Sequence, residues 1–390
     1  MSIERDLRNP YSWYDEARNK CPVYWDHAEE GWLVLSHELI NEVLLNPKFA
    51  ARADMSFMGE VAPTLRQHFE SWLLFTDPPK HNVLRKLIGP AFSSKRYPSF
   101  ERTLSDRANT LVDRLLLENG PFDLLSQYAI PMAECALAMI LTLDGQEVAN
   151  AREWADDLLD FINVDFSPEQ LAVSLKALNA MTKIVKDKVL TSKASFPKGT
   201  ILSTINQAWS QGEISEVEAG ALFGQIVTGM LGAVPHLVSN AVLALVQHPA
   251  QWSRLQSNPD AIDGAVEEFL RYDTPFLLVT RTSTAEMTLG GVALHPGDRI
   301  GLMLGAGNRD PATFEHPHAL DVERRPNPHL SFGIGAHFCL GAGMTRSIAS
   351  VAIGTLTRRV RKIELHEPVR FRQLFGMRNA EELMVSMEAK

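Results

Sequence analysis

The segment Phe332-Gly333-Ile334-Gly335-Ala336-His337-Phe338-Cys339-Leu340-Gly341 runs directly into a helix-like stretch, Leu340 to Val360. That stretch is rich in Ala, Leu, Ile and Thr and ends in basic residues, as a helix should. Gly333 and Gly335 permit backbone conformations and close approaches that a Cβ forbids. The segment therefore reads as a tight loop that delivers one cysteine, Cys339, to a helix N-terminus. Unpaired N–H groups and a partial positive charge there stabilise a thiolate. Such a thiolate is a soft ligand suited to iron. Taken alone, a single cysteine is more often a small buried hydrophobe, so the rest of the chain must decide.

The chain has 390 residues, 45% of them hydrophobic, enough for a large core. No repeat or low-complexity linker divides it, and one domain over residues 1–390 is expected. A formal charge of −9 argues against nucleic acid as a partner, since that role needs a basic face. Cys21, Cys135 and Cys339 are too widely spaced for a disulfide framework or zinc pattern, which suits a reducing cytoplasm. Met1 to Asp6 contains no apolar run, so neither a signal peptide nor an N-terminal anchor is expected. Ala219 to Ser253 lacks Asp, Glu, Lys and Arg altogether. Gln225, Pro235, His236, Ser239 and Asn240 interrupt it, and its flanks lack the anchors of a membrane span. It reads as a buried helix of a soluble protein.

The loop pattern Phe-Gly-x-Gly-x-His-x-Cys-x-Gly resembles the haem-binding loop of the cytochrome P-450 family, with all six fixed positions present. The resemblance implies haem b with Cys339 as axial ligand, and thiolate donation there favours O–O cleavage. It extends from about residue 10 to the C-terminus. It implies the family's triangular-prism fold, mainly α with a small β lobe, whereas periodicity alone indicates only helices and some strands. Val23-Tyr24-Trp25 and Gly31 to Leu35 fit the lobe, followed by a helix from Ser36. Residues 53–72 correspond to the family's mobile loop over the substrate, and Phe161 to Phe166 to the distal roof.

Asp77-Pro78-Pro79 is a helix start, an acid followed by proline in the first turn. His81 and Arg85 then lie at i and i+4 on one face. By themselves they would be a solvated face; by resemblance they bind a haem propionate, as do Arg281 and His337. Phe332, Gly333 and Gly341 frame the cofactor loop. Glu268 and Arg271, at i and i+3, are close enough to pair. The family buries this pair with a loop arginine, best matched by Arg324, to hold the cysteine loop. Asn308-Arg309-Asp310-Pro311 matches a further signature. Gly229, Leu231, Phe276, Leu278, Val279 and Phe375 are expected along an apolar substrate pocket.

Ser215-Glu216-Val217-Glu218 is a capping box, and the helix it opens extends to about Gln247, roughly 50 Å. Its end resembles the family's long helix over the haem. Where the family carries an acid–alcohol pair that relays protons during dioxygen activation, this chain has Gly232 and Ala233. No Asp, Glu, Ser or Thr lies between Gly229 and Val238. Pro235 frees the carbonyl of Leu231 and should kink the helix. His236 follows, and two readings stay open: it packs against neighbouring helices, or it, or water on the Leu231 carbonyl, donates protons instead.

The family resemblance implies a soluble, monomeric monooxygenase. It would oxidise a small organic molecule, in a specialised biosynthetic pathway, with electrons from a ferredoxin and its reductase. The missing pair keeps alternatives open: peroxide-driven or oxidative-coupling chemistry, or a haem-bearing binding protein without catalysis. Arg346, Arg358, Arg359 and Arg361 form either a basic docking face for the donor or an ordinary solvated helix face.

Overall fold

Glu216–Gln247 forms one helix of 32 residues through the middle of the molecule, with the predicted bounds. At its start, the Ser215 Oγ accepts from the Glu218 N–H and a Glu218 carboxylate oxygen accepts from the Ser215 N–H at 2.7 Å. The box satisfies two donors that every helix start leaves open. At its end, His248-Pro249 cannot extend the helix, and a new one begins at Pro249. Pro235 lies inside without breaking it. The helix is long and apolar enough to cross a membrane, yet most of it is packed inside protein, in keeping with a core helix.

This computed structural model describes residues 6, 9–51, 63–97, 99–118, 120–163, 167–191 and 196–390, with only the backbone of 161–163. Most of the expected mobile loop, residues 53–62, lies outside the described residues; its remainder includes a helix, Pro63–Glu70. The expected roof segment likewise lies outside them, apart from the backbone of 161–163, which closes the helix Gly145–Asn163.

Around the central helix pack Pro63–Glu70, Ile130–Leu141, Gly145–Asn163, Ile262–Tyr272 and Ala342–Arg359. Together they bury one extensive apolar cluster that reaches from Leu65 to Val385. The helix Phe100–Leu115 shows how the sequence dictates this. Leu104, Ala108, Leu111, Val112 and Leu115 are all buried, and they recur at the spacing that lines one helix face.

The β lobe comes from both ends of the chain. Strands β1 (Val23–Asp26), β2 (Gly31–Val34), β3 (Phe49–Ala50), β5 (Leu278–Ser283) and β8 (Arg299–Met303) form one sheet in the order β1-β2-β8-β5-β3. β2 and β8 are parallel, with Leu33 opposite Gly301; the other pairs are antiparallel. β4 (Phe122–Asp123), β9 (Val360–Leu365) and β10 (Met384–Ala389) form a second, antiparallel sheet. β6 (Met287–Leu289) and β7 (Val292–Leu294) form a hairpin. A smaller cluster, including Val34, Ile40, Val43, Ile300 and Leu302, fills the space beneath the larger sheet.

Candidate active site

The cysteine loop is closed by its own backbone. The Cys339 N–H donates to the Phe332 carbonyl at 2.9 Å, and the Gly333 N–H to the Leu330 carbonyl at 2.7 Å. Gly333 and Gly335 take φ of 63° and 73°, the left-handed region where only glycine is unstrained. At Gly335 a Cβ would also lie 2.9 Å from the Leu44 carbonyl oxygen. The helix after the loop begins at Ala342, with Gly341 at its N-cap position. It starts two residues later than the sequence suggests, so Cys339 precedes the helix.

Cys339 is exposed by surface area, yet burial pushes its thiol up. Both hold when the sulfur lies on the wall of a recess enclosed by protein. The N–H groups of Gly341 and Ala342 and the charges of Arg85 and Arg346 oppose that shift without overcoming it. The loop donors therefore do not make a thiolate unaided, contrary to the sequence argument. A metal cation at the sulfur deprotonates a coordinating thiol outright, so the donor set is suited to a bound metal.

His81 and His337 stand beside the loop with ring centroids 4.0 Å apart. Burial lowers both, His337 to about 3, where His81, Arg281 and Arg85 lower it further. The Nε2 of His81 is buried without a partner. Arg281 is buried, donates to the Thr280 carbonyl at 2.7 Å and lies near Asp77. Arg85 does more than face the recess: its Nη2 donates to the Phe338 carbonyl at 2.7 Å and so braces the peptide before Cys339. An orphaned imidazole nitrogen amid cationic donors matches the need of buried carboxylates. The residues present fit haem b, and His81, His337 and Arg281 are the ones that would hold its carboxylates.

The central helix carries the remaining candidate residues. Gln225, Gly229, Ala233 and His236 form one stripe, within about 80° at 100° per residue, and of residues 219–245 these four and Met230 keep accessible area. Gly229 has open space where a Cβ would be. Gly232 lies at the edge of that face, about 20° round from Gln225, and is covered: a Cβ there would come within 2.7 Å of Leu159 Cδ1. It is a contact point for the helix Gly145–Asn163. Leu231 is not on the stripe either; it lies about 200° round from Gly229, in the main core. The flanking hydroxyls are turned back into the helix, Thr228 to the carbonyls of Gly224 and Gln225 and Ser239 to that of His236. Burial lowers His236 to about 4, with help from Arg372, and its Nδ1 has no partner.

Of the other expected pocket residues, Phe276 is half-buried and bridges to Met377. Leu278 and Phe375 pack with the N-terminal aromatic cluster of Tyr11, Trp13 and Tyr14. Val279 packs on the sheet's own core.

Behind the loop, Glu268 and Arg271 are fully buried. Arg271 donates to both Glu268 oxygens at 2.7 and 2.8 Å and to the carbonyls of Asn308, Pro317 and Ala319. The Nε of Arg324 donates to Glu268 at 3.1 Å, completing the expected triad. Asn308 continues it to the loop, accepting from the Leu330 N–H and donating to Ser331 Oγ.

A second network was not legible in the sequence. Glu267 accepts two hydrogen bonds from Arg346, at 2.7 and 2.8 Å, and one from His329 at 3.1 Å. The basic docking face is accordingly reduced: Arg346 pairs with Glu267, Arg359 with Asp113 and Arg361 with Glu388, while Arg358 stays exposed.

A cytochrome P450 family model matches residues 244–371. A biotin biosynthesis cytochrome P450 of Bacillus subtilis (strain 168) is 32% identical over 386 residues, 98% of this chain and 97% of its own. A steroid C26-monooxygenase of Mycobacterium tuberculosis is 29% identical, covering 93% and 88%. P450BioI, solved with an acyl carrier protein ligated to hexadec-9Z-enoic acid, superposes with a TM-score of 0.90 at 31% identity, over 98% and 99% of the chains. CalO2 does so with a TM-score of 0.91 at 27% identity, over 98% and 96%. The chain belongs to the cytochrome P450 family. It has that family's fold and haem b, and it is a haem-thiolate monooxygenase acting on a small molecule.

Proposed function

We propose that this protein oxidises a small organic molecule bound between the cysteine loop and the Gly229–Ala233 stripe, and that the substrate or an ordered water supplies the hydroxyl missing from its central helix. One observation carries this reading: the stripe of Gln225, Gly229, Ala233 and His236 offers no acid or alcohol, and the neighbouring hydroxyls of Thr228 and Ser239 are already committed to helix carbonyls. When bound, haem b supplies the redox-active iron that activates dioxygen, with Cys339 as its thiolate ligand. His81, His337 and Arg281 hold its carboxylates, Arg85 braces the loop, and Glu268, Arg271 and Arg324 form the scaffold behind it. Phe276 contributes apolar wall.

General acid work needs a donor of suitable pKa within reach. Burial holds His236 neutral at physiological pH, so it carries no imidazolium proton to give. It serves as pocket wall. His236→Phe is therefore expected to leave product formed per electron consumed unchanged; a loss of tenfold or more would restore the histidine to the relay.

Relatives named for biotin and polyketide biosynthesis favour a substrate from a biosynthetic pathway. Electrons come from a ferredoxin and its reductase, and the protein works as a cytoplasmic monomer. The decisive experiment turns over a compound that shifts the haem absorbance, using ferredoxin, reductase and isotopically labelled dioxygen, beside a peroxide reaction. Label in the product, coupled to electron use, supports the proposal. Product from peroxide alone, or product without label, overturns it.

A further inference from the structure

Two consecutive acids, Glu267 and Glu268, leave the same helix for different networks. Glu268 serves the segment from Asp321 to Asn327 directly, and Asn308 through Arg271. Glu267 serves the cysteine loop itself. Its carboxylate is half-buried and holds two groups that flank one ring: the Arg346 guanidinium lies 4.6 Å from the Phe332 ring centroid, and the His329 ring is 5.8 Å from it. Phe332 carries the carbonyl that accepts the Cys339 N–H. His329 is oriented as well, because its Nδ1 accepts from the Ser331 N–H, which leaves Nε2 to donate to Glu267. The three elements joined here are the helix Ile262–Tyr272, the residues before the loop and the helix Ala342–Arg359.

Charge makes this arrangement more than a brace. Arg346 is close enough to Cys339 for the two to act on each other electrostatically. A lone guanidinium there would draw electron density from the sulfur, and a carboxylate in bidentate contact with it opposes most of that field. We infer that Glu267 is a positioning residue for the cysteine ligand, which fixes Arg346 and His329 against Phe332 and sets the electrostatic field at the Cys339 sulfur through its pairing with Arg346. This inference rests on the reading of Cys339 as the haem ligand.

The test uses haem-loaded full-length protein and reads the ferric/ferrous midpoint potential together with the ferrous carbon monoxide spectrum. A thiolate-type carbon monoxide band in the unaltered protein establishes the ligand independently; its absence would overturn that reading and this inference with it, whereas the variants below test this inference alone once the band is present. Glu267→Gln leaves Arg346 uncompensated and is expected to raise the potential. Arg346→Gln leaves Glu267 uncompensated and is expected to lower it. The double variant is expected to return towards the starting value, because the charges cancel again. Opposite shifts that cancel cannot come from a merely structural role, which would move both single variants the same way. Shifts of one sign, unmoved potentials, or failure of both single variants to retain haem while folded would overturn the inference.

Discussion

Arg271 is fully buried and its guanidinium reaches Glu268 and three backbone carbonyls. Removing one partner of a buried pair leaves the other charge uncompensated and costs about 3–5 kcal/mol. Arg271→Ala is expected to yield little haem-bound protein, measured as carbon monoxide difference absorbance per mole of chain; normal haem content would contradict this. His68 makes a second case at this scale. It is buried against Gly224 and Trp72, its Nε2 has no partner, and burial lowers it to about 4. Between an unfolded value near 6.5 and the folded value near 4, the unfolded chain binds the proton and the native protein does not. Stability therefore falls as pH drops through that window. Thermal melts at pH 7 and pH 5 should differ less in His68→Leu than in the natural protein. The Glu268–Arg271 pair was legible because its partners lie three residues apart in a known motif. Glu267 was not: its partners are 62 and 79 residues away, and the sequence offers nothing to join them.

At the scale of elements, the ends of the central helix were legible and its rotation was not. A capping box and a terminal His-Pro mark the ends by local chemistry alone. Which face meets open space depends on what packs against the others, and no residue of the helix itself states this. Hence the contact of Gly232 with Leu159 of another helix could not be read from motif counting. Gly232→Ala makes the consequence measurable. Helix propensity favours alanine by about 1 kcal/mol, while forcing a methyl into a filled contact costs about 1–3 kcal/mol. Crowding wins or nearly cancels, so Gly232→Ala is expected to lower the denaturation midpoint. In a Leu159→Ala background the same change should be stabilising. Additive effects in the two backgrounds would show that the contact does not limit the site.

For the whole molecule, the sheets explain why the termini cannot be trimmed freely. β10 is the middle strand of its sheet, paired to β9 on one side and β4 on the other. Deleting residues 384–390 leaves both neighbours with unpaired edges, and the buried Val385 leaves the main core. Such a truncation is expected to give insoluble or haem-free protein, scored by soluble yield and carbon monoxide absorbance; a soluble, haem-loaded product would show that β10 is dispensable. Periodicity made helices and some strands legible, but their gathering into a small β lobe was legible only through the family's motifs. Strand pairing between positions 33 and 301 leaves no trace in local periodicity.

That same parallel pairing of β2 with β8 has a consequence during the chain's birth. β2 leaves the ribosome early, and its partner lies some 270 residues downstream. At synthesis rates of about 5–20 residues per second, the first strands wait roughly 15–50 s for the edge that completes them. Throughout that interval Leu33 and Val34, fully covered in the finished protein, are exposed to any nascent neighbour. The cell must keep an apolar hairpin from wrong company until most of the polypeptide has been made.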